Sequence, residues 1–251
     1  MSDSGKKQLV EHAKRALRGR ILSGEFKPDE HISETAAAEM TGISRTPARE
    51  ALSHLVEEGL LTRTPSGRCT VRPLTRNDVM DAIELRGVLE GTVLRLAAER
   101  GPDAEVLARC DRILARIDDA LGDGEAGLDF ERYARLNDRF HRQLALVSGS
   151  ETIQRELLRV IALPFASPGA FPAQLFDRPR VRRSFLRAQE QHHAILAAVR
   201  NGEGTRAEAL AREHSRLAWD DYLNVMYSGP SATEIAPGFA MIDAGENTPA
   251  V

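Results

Sequence analysis

The sequence predicts a mainly α-helical protein in which a small N-terminal domain precedes an all-helical body. Aromatic residues make up 5 % of the chain and hydrophobic residues 42 %, many of them Ala and Leu, which favours helices over sheet. Apolar residues recur at helical spacing along most of the chain. A length of 251 residues suits two domains, and Pro73-Leu74 falls where the pattern changes.

The first predicted element is an amphipathic helix over residues 6–23, ended by Gly24. Its apolar residues lie on one side of the helix. They are Leu9, Val10, Ala13, Leu17, Ile21 and Leu22. We expect this side to close the core of the N-terminal domain.

The stretch from Ser33 to Leu61 predicts two helices joined by a tight turn. Ser33 is placed to N-cap the first helix, and Gly42 suits the left-handed residue that ends it. Ser44 is placed to N-cap the second helix, and Pro47 lies in its first turn, where a missing N–H costs little.

The exposed N-terminal end of the second helix carries Arg45, Thr46 and Arg49. A helix-turn-helix delivers that end to the major groove of DNA, where the fork of an arginine reads guanine edges. Strand-like pieces follow at 62–64 and 69–71.

The turn between these strand-like pieces, residues 65–68, carries the basic Arg68 at a hairpin tip. A helix-turn-helix followed by a basic hairpin predicts a winged-helix DNA-binding domain over residues 1–73. The alternative is a surface helix pair with solvated arginines.

Charge supports this division. Residues 1–76 carry a net charge of +3 and the remainder −6, which suits a DNA reader joined to a domain that does not bind DNA. The two cysteines match no metal or disulfide pattern, and no apolar run approaches the roughly 20 residues of a membrane span. The polar N-terminus does not resemble a signal peptide, so we expect a cytoplasmic protein without a membrane partner.

Residues 74–228 predict an all-helical body, in which Thr75 caps the first helix. Further helices are expected at about 103–121, 129–148, 151–163, 178–201 and 204–227. The irregular, partly apolar segment 163–172 holds three prolines and two phenylalanines and predicts a lid or pocket wall. The last residues, 229–251, predict a disordered tail.

Arg86 falls within the apolar stripe of the first body helix, where an unpaired charge is costly. It either pairs with Glu90 one turn later or anchors an anionic ligand. Both interpretations stay open at this point.

Four residues of the body form a candidate metal site. Asn137 and His141 share one helix face, and His192 and His214 lie in the two last helices. Three imidazoles and one oxygen suit zinc, nickel or a similar divalent metal if the helices converge. Scattered surface or capping histidines are the alternative, and we assign His193 to that class.

The stretch SRTPAREALSHLVEEGLL with its glycine-containing wing resembles the DNA-binding domain of GntR-family bacterial transcription regulators, from about Gln8 to Pro73. The resemblance implies contacts to bases and phosphates and, at Gly67, to the minor groove. The helix residues that it implies for these contacts are Ser44, Arg45, Thr46 and Arg49.

Residues 75–227 resemble the helical effector domain of the FadR branch, called FCD, in which many members bind metal through an Asp four residues before a His and two later histidines. LNDRFHRQL, QHHAIL and AREHSRLA match these places through His141, His192 and His214. Asn137 departs from the pattern, because an amide oxygen binds metal more weakly than a carboxylate. DAIELRGVLEG and LPFASPGAF, with the Asn variant, look most like vanillate-responsive regulators, which implies an aromatic or other small carboxylic acid.

These observations predict a homodimeric, ligand-responsive repressor that reads a palindromic operator and is not an enzyme. The acid is expected to contact Arg86 and the metal or the four-residue set Asn137, His141, His192 and His214. A metal-dependent enzyme using the three histidines is the alternative from another class. A purely architectural DNA binder is a third, but it needs no buried Arg and His pocket.

Overall fold

The computed structural model describes residues 3–124, 127–168, 178–227 and 242–243, and it confirms the mainly α fold class. The elements in chain order are α1 (Asp3–Leu22), β1 (His31–Ile32), α2 (Glu34–Thr41), α3 (Arg45–Glu57), β2 (Leu61–Arg63), β3 (Cys69–Val71), β4 (Leu74–Thr75), α4 (Arg76–Arg100), α5 (Ala104–Leu121), α6 (Phe130–Leu144), α7 (Glu151–Ile161), α8 (Arg178–Arg200), α9 (Gly204–Tyr227) and β5 (Ile242–Asp243). None of the helices described is long and apolar enough to cross a bilayer.

The chain divides into two compact units. The first runs through Val79 and includes β5, and the second runs from Met80 to the end of α9. The boundary between the two compact units therefore falls inside α4. The domain boundary expected at Pro73 stays a prediction.

The first unit is a winged helix. α1, α2 and α3 enclose a core of small and branched side chains, and β1, β3 and β2 form an antiparallel sheet in that order. The fully buried members of this core include Ala13, Leu17, Ile21, Ala48, Ala51, Leu52, Leu55 and Val71. The predicted face of α1 thus closes this core.

The predicted caps around α2 are present. Ser33 Oγ accepts from the Ala36 amide at 3.0 Å, and Gly42 ends α2 with a left-handed φ of 67°. Ser44 occupies the N-cap of α3 as expected, but its side chain makes no capping hydrogen bond. Its hydroxyl is therefore not used by the helix.

The second unit is an all-helical bundle. α5 and α6 pack as neighbours, as do α8 and α9, around a core that includes Leu94, Cys110, Ile117, Phe140, Leu196 and Ala207.

Thr75 and Asp78 form a reciprocal cap at the start of α4, with Thr75 Oγ1 accepting from the Asp78 amide at 3.1 Å and Asp78 Oδ2 accepting from the Thr75 amide at 2.8 Å.

α4 and α9 approach closely through glycines. A Cβ added at Gly87 would lie 2.2 Å from Ser215 Oγ and 3.0 Å from Ser215 Cβ. One turn later, a Cβ at Gly91 would lie 3.1 Å from the Glu208 carbonyl oxygen. The absence of side chains at these two positions lets the two helix backbones come together.

Two predictions fall largely on parts of the chain outside the described residues. Of the segment 163–172, residues 163–168 are described, and 169–172 lie outside. The tail 229–251 also lies outside except for Ile242-Asp243, which pair in parallel with Leu74-Thr75. At those two residues the structure differs from the expected disorder, because β5 pairs with β4 in a two-stranded sheet.

Candidate functional site

The predicted DNA-contacting residues all lie exposed on the first unit. They are Ser44, Arg45, Thr46 and Arg49 at the start of α3, with Gly67 and Arg68 at the hairpin tip. Within the described part of the chain, the guanidinium of Arg45 has one distant ion-pair partner, Glu34 at 4.0 Å, and its side chain is 72 % exposed. It is therefore available to an anionic partner.

Arg63 joins the recognition helix α3 to the wing, which is the hairpin formed by β2, β3 and residues 64–68. Its Nη2 donates to Ser53 Oγ at 2.9 Å, and its Nη1 donates to the Gly67 carbonyl at 3.2 Å. The wing turn is closed by the Gly67 amide, which donates to the Thr64 carbonyl at 2.8 Å, with Gly67 at a left-handed φ of 83°. The side chain of Arg63 thus links α3 to the turn of the wing.

The structure brings His141, His192 and His214 together in the second unit, one from each of α6, α8 and α9. Their Nε2 atoms converge, at 3.1 Å between His192 and His214 and 3.4 Å between His214 and His141. All three side chains are buried, and they form a set able to hold a metal ion.

Each of the three rings is oriented through its other nitrogen. His141 Nδ1 donates to Glu90 Oε1 at 3.0 Å, because a carboxylate can only accept. His192 Nδ1 faces Gln189 Oε1 at 3.1 Å, and His214 Nδ1 faces Gln191 Oε1 at 3.1 Å.

The tautomer of His192 follows from the network around Gln189. The Gln189 amide nitrogen donates to the Leu114 carbonyl at 3.1 Å and to Asp118 at 2.7 Å, which fixes its oxygen toward His192. His192 Nδ1 must then carry the proton, and its Nε2 presents a lone pair. Histidine metal ligands are held in this way by an acceptor behind the ring.

Burial disfavours the protonated forms of His192 and His214. Lone pairs that face one another at such distances repel unless a positive charge lies between them. Burial, followed by the charges of His214 and His141, holds the pKa of His192 well below its ordinary value. Burial and the charge of His141 lower the pKa of His214 to about 3, although Glu90 opposes this.

Asn137 supplies an oxygen beside the three nitrogens. It lies one turn before His141 on α6, is buried, and its Oδ1 has no hydrogen-bond partner among the described residues. Asn137, His141 and His214 line a cavity of about 80 Å³, several times the space that one water needs. The donor set of three imidazoles and one amide oxygen suits zinc or nickel chemically.

Arg86 lines the same cavity and also has internal partners. Its Nη1 donates to the Ala166 carbonyl at 2.8 Å, and its Nε lies 3.7 Å from Glu90 Oε2. Burial opposes the ionisation of Glu90, yet the charges of His141 and Arg86 lower its pKa to about 2. The pair with Glu90 that the sequence offered is present, and Arg86 still faces the cavity.

Family models match both units of the chain. Residues 81–217 match the FCD domain, and residues 9–71 match the bacterial regulatory proteins of the gntR family. The chain belongs to the GntR family. It is a helix-turn-helix transcription regulator with an FCD effector domain.

Curated relatives of this GntR regulator carry the same kind of name. It is 30 % identical over 210 residues to the Nta operon transcriptional regulator of Aminobacter aminovorans, covering 82 % of this chain and 90 % of that one. It is 32 % identical over 213 residues to the HTH-type transcriptional regulator LutR of Bacillus subtilis, covering 77 % and 92 %. These relatives do not support the enzyme alternative.

The solved structure of E. coli McbR/YncC has the same fold. It superposes with a TM-score of 0.60 at 22 % identity, over 85 % of this chain and 98 % of that one. At this identity the likeness concerns the fold alone. The resemblance of the GntR regulator to the vanillate-responsive subgroup stays a prediction.

Sequence reasoning missed the residues that support and extend the histidine set. Gln189 and Gln191 lie beside the His192-His193 pair in the sequence, and a glutamine three residues before a histidine was an available signal. Asp221 and Ser184, which line the far end of the cavity, gave no signal, because a single Asp or Ser on a helix is usually solvated.

Proposed function

We propose that this GntR regulator is a homodimeric repressor that binds a palindromic operator and is released by a small carboxylic acid. The observation that carries the proposal is the convergence of three histidine Nε2 atoms beside a cavity that Arg86 also lines. A pocket that offers positive charge at its floor suits an anion. In a regulator, such a pocket is of use when its occupation alters DNA binding.

The proposed operator contact uses the exposed start of α3 and the wing. Ser44 supports it because its hydroxyl is not consumed by a capping bond and can reach a phosphate. A two-fold dimer presents identical recognition helices to two half-sites, so the operator is expected to be palindromic. Occupation of an operator blocks transcription without further contacts, which makes a repressor the simplest role.

We infer that a divalent cation, zinc or nickel, is held by His141, His192 and His214, with Asn137 as an oxygen donor. When bound, it supplies positive charge and a coordination position that a carboxylate oxygen can occupy. Asn137 is neutral, which lowers the expected affinity relative to an Asp at the same place. Glu90, Gln189 and Gln191 hold the three rings in place.

Arg86 is proposed as the second anchor of the carboxylate. Its guanidinium lines the cavity, and its Nε makes no hydrogen bond within the described residues, although Glu90 Oε2 lies 3.7 Å away. A charge-assisted bond from a buried guanidinium is among the stronger polar contacts. Release from DNA then requires that the acid bind two dimer geometries with different affinity.

The proposal is tested by fluorescence anisotropy with DNA from upstream of the regulator's own gene. Zinc-loaded protein is titrated with DNA in the presence and absence of a panel of small aliphatic and aromatic acids. We expect at least one acid to weaken DNA binding at least tenfold. If no acid changes DNA binding and no acid raises the melting temperature of the protein, the proposal of an acid-responsive regulator is contradicted.

Arg86→Ala is expected to weaken acid binding tenfold or more, and Arg86→Lys to restore it only in part, because an ammonium lacks the planar fork. Arg95→Ala is the matched control, since Arg95 lies on the same helix and pairs with Glu208 at 2.9 Å on the surface. Unchanged acid affinity in Arg86→Ala, with a lowered melting temperature, would make Arg86 only an internal partner of Glu90.

A further inference from the structure

The cavity has a second polar end that neither the metal set nor Arg86 accounts for. Ser184 of α8 and Asp221 of α9 both line it. Ser184 Oγ donates to the carboxylate of Asp221 and lies 3.2 Å from each oxygen. Asp221 is half-buried, and a carboxylate that lines the cavity is an acceptor with spare capacity, because it can accept about four hydrogen bonds.

The two polar ends are separated along the helices. On α9 the residues that line the cavity follow the spacing i, i+3, i+4, i+7, which places them on one face. They are His214, Leu217, Ala218 and Asp221. Seven residues of helix rise by about 10 Å, so Asp221 lies two turns from the histidine end.

Aromatic and small apolar side chains also line the cavity. Tyr133 of α6 stacks on Phe185 of α8 with ring centroids 3.7 Å apart and planes 8° apart, and Phe130 extends the stack. These rings line the cavity together with Ala134 and Ala188. A ligand with an apolar part between two polar groups matches this lining.

Burial and the neighbouring polar groups act in opposite directions on the Asp221 carboxylate. Burial raises the pKa of Asp221 to about 6, and the charge of Asp220 adds to this, while Ser184 and Arg180 oppose it. Asp221 is thus mainly ionised at pH 7, yet in a place that disfavours the anion. Tyr133 faces it from α6, and burial with the Asp221 charge raises the pKa of that phenol, so it stays protonated.

We propose that Asp221, positioned by Ser184, selects acids that carry a hydrogen-bond donor at the end opposite their carboxylate. The donor is a hydroxyl or a protonated amine, and the two share the chemistry that a half-buried carboxylate recognises. This inference rests on the proposed acid-binding function and adds a requirement to it. An acid with an apolar far end would shield the half-buried Asp221 carboxylate from water without giving it a new partner, which costs affinity.

The test uses three benzoates that differ at the para position and full-length zinc-loaded protein. They are 4-hydroxybenzoate, 4-(aminomethyl)benzoate and 4-methylbenzoate. Affinities are measured by calorimetry for the wild type, Asp221→Asn and Asp220→Asn. Asp220 is the matched control, because it is the adjacent residue, its side chain is 54 % exposed, and it pairs with Arg187 on the surface.

We expect the wild type and Asp220→Asn to bind at least one donor-bearing acid tenfold or more tightly than 4-methylbenzoate. Asp221→Asn should lose most of the preference for the amine, because a neutral amide does not attract an ammonium. It should keep part of any preference for the hydroxyl, because the amide oxygen still accepts a hydrogen bond from that group. A preference for the hydroxyl alone in the wild type assigns the donor as a hydroxyl, and one for the amine assigns a cation.

Equal binding of all three acids, or a donor preference that survives unchanged in Asp221→Asn, overturns the selection by Asp221 while leaving the acid site in place. Binding of none of the three overturns the inference, and the acid panel described above then decides separately whether the proposed function also fails. Asp221→Asn preserves size and removes a half-buried charge, so its melting temperature at pH 7 serves as the check that it folds.

Discussion

At the scale of single residues, the arginines at the start of α3 illustrate how exposure and helix position assign a role. Arg45 and Arg49 are exposed at the end of α3 that a helix-turn-helix delivers to DNA. The guanidinium of Arg63, by contrast, donates hydrogen bonds to Ser53 and Gly67. We therefore propose that the first two read bases and that the third shapes the surface.

Arg49→Ala and Arg45→Ala are each expected to cost about 1–3 kcal/mol of specific DNA binding, as for base-reading arginines. The measurement is anisotropy against operator DNA, with circular dichroism to verify folding. Arg20→Ala is the control, because Arg20 lies in the same unit and pairs with Glu25 on the surface at 3.0 Å. Wild-type affinity in both α3 variants would contradict the assignment of α3 as the recognition helix.

At the scale of helices and strands, much of the fold follows from the sequence. The expected helices at 103–121, 178–201 and 204–227 agree with α5, α8 and α9 to within one residue at each end. Their caps and helical spacing are local signals, and local signals suffice for them. The predicted helix 129–148 ends earlier, at Leu144, because the chain turns there before Gly149.

Contacts between helices were harder to predict from the sequence than the helices themselves. Spacing placed Asn137 and His141 on one face, but only packing shows that His192 and His214 meet them. The acceptors behind the rings, such as Gln189, depend on the backbone carbonyl of Leu114 across the bundle. Such distant partners leave no periodic pattern in one sequence.

The glycine contact between α4 and α9 gives a prediction at this scale. Gly87→Ala should destabilise the fold by about 1–3 kcal/mol, because the new methyl overlaps Ser215, and this outweighs the roughly 1 kcal/mol that Ala gains in a helix. Chemical denaturation measures the change. Ser215→Ala should relieve part of the cost in the double variant.

Gly19→Ala is the control for Gly87→Ala. Gly19 lies inside α1 and a Cβ there would meet nothing within 4 Å, so this substitution should stabilise by up to about 1 kcal/mol. If Gly87→Ala is as favourable as Gly19→Ala, the close approach of α4 and α9 is not a constraint on the fold.

At the scale of the whole molecule, the proposed cation would tie α6, α8 and α9 together through one histidine from each. Zinc or nickel at 100 times its Kd is expected to add about 2.7 kcal/mol of stability to chelator-treated protein. His192→Ala should remove this gain. Asn137→Asp should increase metal affinity, because a carboxylate replaces a neutral oxygen.

His193→Ala is the matched control for His192→Ala. His193 is the next residue, is 52 % exposed and pairs with Asp118 at 3.2 Å outside the set, so its loss should leave the metal effect intact. Calorimetric unfolding and elemental analysis are the measurements. Protein that carries no metal after incubation with either ion would leave the histidines as direct ligands of the acid or as core residues.

The Arg63 bridge between Ser53 and the wing bears on what an effector can alter. Because Arg63 hydrogen-bonds both to α3 and to the turn of the wing, we expect these two parts to move together. If the proposed acid acts through a dimer, it would change the spacing and angle between two such domains, and with them the fraction of operators occupied. The ranking of half-site sequences should stay the same in its presence, so selectivity and responsiveness can evolve independently.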